Sequence, residues 1–125
     1  MKDEHGAMEL KALLSCLRAL RMSHHTAHWQ VKGTPFYGDH LLFERLYTAI
    51  DDEIDGLGEK MVSKYGADSV EAVESCDRMC SLLEKVKGDD LYERALKLEQ
   101  VLQHLLANTL ETLRSEEHTS ELQSH

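Results

Sequence analysis

The segment from Asp39 to Tyr65 restricts the possible folds more than any other part of the chain. Laid on a helix at about 100° per residue, it divides into two faces. His40, Glu44, Thr48, Asp51, Asp55 and Glu59 share one sector, while Leu42, Phe43, Leu46, Ile50, Ile54, Leu57 and Met61 take the opposite side and must be buried. The pairs His40/Glu44 and Asp55/Glu59 are each spaced i, i+4, so the members of either pair can converge on one ion. Glu44 and Asp55 nevertheless lie roughly 16 Å apart along the axis, and one helix cannot bring both pairs to one ion. A two-fold axis crossing the helix can, because it sets the first pair of one copy against the second pair of the other.

The preceding segment adds a further donor. Leu10, Leu13, Leu17, Leu20, His24, Ala27/His28 and Val31 form one helical stripe on a helix expected from about Met8 to Lys32 and ended by Gly33. The connection from Gly33 to Phe36 is short, so the two helices should run antiparallel and place His28 near His40 and Glu44. The expected site therefore takes His28, His40 and Glu44 from one copy and Asp55 and Glu59 from a second. Two imidazoles with three carboxylates suit Fe(II), Mn(II) or Zn(II) better than metals that prefer thiolate.

Taken together, His28-Trp29-x-x-x-Gly33, His40-x-x-x-Glu44 and Asp55-x-x-x-Glu59 resemble the signature of the Dps family, the mini-ferritins named as DNA-binding proteins from starved cells. The resemblance is strong over residues 8 to 65 and extends beyond them only as a helical pattern. It departs at Glu44, where the family usually has Asp. The resemblance implies an all-α, ferritin-like antiparallel bundle, a ferroxidase centre shared across a dimer two-fold, and assembly into a dodecamer. It also implies oxidation of Fe(II) by peroxide or oxygen, storage of Fe(III) and protection from oxidative stress. In the family, a short helix lies in the long crossover after the second helix.

Elsewhere the pattern is also helical. Thr34-Pro35-Phe36 offers a cap followed by proline, so the second helix begins there or at Asp39, and Gly66 ends it. Ala67-Asp68-Ser69 offers the next cap, ahead of a helical piece marked by Val70, Val73, Met79, Leu82, Leu83 and Val86. Gly88-Asp89-Asp90 breaks and caps. Leu91, Ala95, Leu98, Leu102, Leu105, Thr109 and Leu113 then form one stripe. Arg114 to His125 changes character, with one aliphatic residue, and resembles the translation of a sequencing-library adapter. Residues 1–113 are thus read as a partial ferritin-like domain that lacks its fourth long helix and leaves an apolar groove open, and 114–125 as a non-native tail.

Hydrophobic content of 42% with a single proline agrees with an all-helical chain. The net charge is −9, and the tail holds one Arg and three Glu, so it is −7 without them. An acidic chain with no Lys-rich cluster at its start is not expected to bind DNA through a basic tail, and it should attract cations instead. No stretch reaches the ~18 apolar residues of a membrane span. Three cysteines point to a reducing, cytoplasmic setting. Of these, Cys76 and Cys80 are read as small buried hydrophobes, and Trp29 as a core anchor. His24 is read as a surface or packing residue.

Two other readings stand beside the leading one. A ferritin-like carboxylate protein would build its metal site within one bundle, usually from Glu-x-x-His pairs, and none occurs in residues 1–113. A non-catalytic helical oligomerisation module would need none of the histidines.

Overall fold

The computed structural model describes residues 4–123, with side chains described for 4–115. Among the described residues, helices α1 (Ala7–Gln30), α2 (Phe36–Tyr65), α3 (Ala72–Lys85) and α4 (Leu91–Gln123) carry the chain, with a 3-10 turn at Ala67–Val70. The architecture is all-α, as the periodicity predicts.

Helix α1 is the centre, because its apolar stripe meets α2, α3 and α4 in turn. Three buried clusters follow one another along it. Ala7 and Leu14 pack on Met61 and Tyr65; Cys16 and Leu20 pack on Val86 and Leu98; Ala27 and Val31 pack on Phe43, with Leu91 and Ala95 against them. The first cluster joins the start of α1 to the end of α2 and the third reverses the pairing, so these helices are antiparallel. Helix α4 also runs against α1, since Leu91 lies near Val31 while His5 Nε2 meets the Thr112 carbonyl at 3.1 Å. The crossover carrying α3 therefore leaves α2 and α4 parallel. Full burial of Leu20, Met61 and Leu98 contributes about 1.5–3 kcal/mol each.

Helix ends differ in detail from the sequence expectation. Helix α1 stops at Gln30, because Val31 already has extended backbone, and Gly33 at φ 83° serves the following turn. Pro35 occupies the cap position of α2 without a side-chain cap from Thr34. The cap of α3 is Glu71, whose carboxylate accepts from the Val73 and Glu74 N–H groups at 3.1 and 2.8 Å. Ser69 instead bonds back to the Gly66 carbonyl. Asp90 caps α4 as expected, accepting from the Tyr92 and Glu93 N–H groups.

Burial expectations are corrected at five positions. Trp29 is 66% exposed, and Leu42 and Val73 also face solvent. Cys76 and Cys80 are exposed. His24, read as a surface or packing residue, is fully buried, with Nε2 3.1 Å from Glu99 Oε1, in keeping with the packing alternative.

A groove remains between α2 and α4, lined by Leu13, Leu17, Leu57, Leu102 and Leu106. On α4, Leu96, Leu106 and Leu110 are exposed. The backbone of α4 continues without a break into residues 114–123, which the sequence reading sets apart; 124–125 lie outside the described residues. None of the described helices is long and apolar enough to cross a membrane.

Candidate metal centre

The last turn of any α-helix leaves carbonyl groups without an intrahelical partner. In α1 one of these is the His28 carbonyl, and His40 near the start of α2 supplies its hydrogen through Nδ1 at 2.8 Å. The reverse bond also forms, since His28 Nδ1 donates to the His40 carbonyl at 2.7 Å. Two imidazoles crossed in this way must lie face to face, and their ring centroids are 3.7 Å apart at 21°. Phe36 stacks on the outer face of His40 at 5.1 Å.

Reciprocal bonding decides the chemistry of both rings. A carbonyl can only accept, so each Nδ1 carries a proton, which in a neutral imidazole leaves the lone pair on Nε2. Among the described residues no protein group bonds either Nε2. Metal-binding histidines are commonly fixed in this manner, with the distal N–H held by a carbonyl.

A ring cluster surrounds the pair. His25 lies 6.4 Å from His28, 4.0 Å from Trp29 and 4.4 Å from Tyr47. Tyr47 meets His28 edge-on at 5.5 Å. Arg21 sits over the Tyr47 ring, donates to Asp51 Oδ1 at 2.9 Å and reaches His25 Nδ1. Asp51 is thereby neutralised, whereas His25 and Tyr47 join the site's surroundings. Sequence reasoning passed over both. The signal was present, since Tyr47 stands two turns beyond His40 on the same face and His25 stands three residues before His28.

The remaining predicted donors fall into place less closely. Glu44 lies one turn beyond His40 on α2 and is exposed. Asp55 and Glu59 are also exposed and share a groove with Leu14, Arg18, Ile54 and Val62. From His40 to Asp55 the rise along α2 is about 22 Å, so the histidines and these carboxylates are separate within one chain. Among the described residues no group of three or more His, Cys, Asp or Glu side chains is gathered closely enough to hold a metal. The chain brings His28 and His40 together and leaves Glu44, Asp55 and Glu59 on solvated surface.

The buried thiol of Cys16 is not part of this surface. Burial, with Glu99 nearby, pushes it up to about 11.

Comparison with curated proteins finds a DNA protection during starvation protein from Helicobacter pylori strain J99, 40% identical over 53 residues. The aligned stretch is 42% of this chain and 37% of that protein, so the match spans little more than a third of the relative's length. No family profile and no solved structure matches the chain. Over the aligned stretch the chain is similar to that starvation protein, which supports a Dps-like relationship.

Proposed function

We propose that this chain is a subunit of a Dps-like mini-ferritin that oxidises Fe(II) at a site shared by two copies. The observation that carries the reading is the crossed pair of His28 and His40, each with Nδ1 tied to a carbonyl and Nε2 free to bind. A packing role alone would not need both rings held with the same nitrogen available. In this reading, His28, His40 and Glu44 of one copy face Asp55 and Glu59 of the second across a two-fold axis, and Fe(II) is the substrate. The imidazoles fix the position of the ion, and the carboxylates favour the ferric charge. Peroxide or oxygen takes the electrons, and the acidic surface of an assembly, a dodecamer in this reading, receives Fe(III). Zn(II) or Mn(II) would occupy the same donors as substitutes.

The scattered single-chain donors count against a site inside one bundle, and the ordered histidine pair counts against a plain oligomerisation module. Anaerobic titration with Fe(II), followed by addition of peroxide, tests the proposal. Wild type should bind iron and oxidise it rapidly; His28→Ala and Glu59→Ala should each lose both properties. Unchanged stoichiometry and rate in both variants would remove the ferroxidase reading.

A further inference from the structure

Cys76 and Cys80 stand one turn apart on the exposed side of α3. The neighbouring Cys76 side chain holds the Cys80 thiol above its ordinary range. Side chains at this spacing have Cβ atoms about 5–6 Å apart, whereas a disulfide needs about 3.5–4.5 Å. Direct oxidation to a bridge would therefore require unwinding α3, while an ion between the sulfurs would not. The number of donors narrows the choice of ion. Zinc takes four ligands, and among the described residues no third His, Cys, Asp or Glu joins this pair. Thiolates are soft ligands that select Cu(I), an ion content with two sulfur donors in a line. Met22 lines the same groove as Cys80.

We infer that Cys76 and Cys80 form a two-thiolate site for Cu(I) on the outer face of α3. Binding converts two thiols and one Cu(I) into a copper dithiolate and two released protons, with no change in the oxidation state of copper or sulfur. The site shares no residue with the histidine pair and does not depend on the ferroxidase proposal.

The test is an oxygen-free competition for Cu(I) between the fully reduced chain and a chromophoric Cu(I) chelator. Wild type should withdraw one Cu(I) per chain, and Cys76→Ser/Cys80→Ser should bind at least ~10-fold more weakly. Both positions are exposed, so the serine variant should keep the helical circular dichroism of wild type. Copper should also protect Cys76 and Cys80 from alkylation, and X-ray absorption should report sulfur neighbours. Retention of copper by the double variant, one copper per two chains, or a nitrogen and oxygen shell would each overturn the inference.

Discussion

His40→Ala should weaken the fold and the metal site together. His40 Nδ1 supplies the hydrogen for the orphan His28 carbonyl at 2.8 Å, and its ring stacks on His28 at 3.7 Å. Loss of the hydrogen bond costs about 0.5–1.5 kcal/mol. Loss of the ring pair costs a similar amount beyond its buried area, so the expected destabilisation is about 1–3 kcal/mol. The bond from His28 to the backbone carbonyl of residue 40 survives the substitution and adds nothing to the loss. With a urea slope of about 1–3 kcal/mol per molar, the unfolding midpoint should fall by roughly 1 M. His40→Phe separates the two contributions, because it keeps a stacked ring and removes both the hydrogen bond and the metal donor. It should recover about half the lost stability and none of the affinity for Zn(II) or Fe(II), which should stay at least ~10-fold below wild type. An unfolding free energy for His40→Ala within ~0.5 kcal/mol of wild type would show that the crossed bonds do not hold the helices together.

Other substitutions test the core, the cap and the thiols. Leu98→Ala, at a site 1% exposed, should cost about 2.7–5 kcal/mol in urea unfolding, whereas Leu96→Ala on the exposed side should stay within ~0.5 kcal/mol. Glu71→Ala should speed amide exchange in the first turn of α3. Because its backbone bonds hold the Glu71 carboxyl below the usual 4.5, the same loosening should appear in wild type only as pH falls through that lowered value. A thiol reagent should titrate two cysteines in the native chain quickly and Cys16 only after denaturation. Burial favours the neutral Cys16 thiol, so its contribution to stability should be complete below pH 9 and lost as pH rises toward about 11. A denaturation midpoint flat across that interval would contradict this.

Periodicity carried most of the fold. The stripes through Leu13, Leu17 and Leu20, and through Leu98, Leu102 and Leu105, are the faces that meet, because burial repeats at the helical period. Helix ends were less legible. Thr34 and Ser69 look like caps in sequence, yet Pro35 and Glu71 hold those positions, since local backbone geometry decides which side chain reaches the open N–H groups. Trp29 and the α3 cysteines were misplaced for a common reason: residue type suggests burial, but the side of a helix that meets α1 is a tertiary fact. At the candidate site, the short turn between α1 and α2 pointed to the neighbouring placement of His28 and His40, while Glu44 stays on exposed surface one turn away. Spacing could not foresee that each histidine would bond the other's carbonyl, which depends on the exact crossing of α1 and α2.

The shared site can be tested by mixing two inactive partners. His28→Ala and Asp55→Ala, each alone, should bind no Fe(II) at the site, because one lacks a ligand of the histidine half and the other a ligand of the carboxylate half. Unfolded together and refolded as an equal mixture, they should regain about one quarter of the wild-type stoichiometry, since half of randomly paired dimers are mixed and each of these rebuilds one of its two sites. Recovery near that fraction is the predicted result, and a mixture as empty as its components would contradict a site built from two chains.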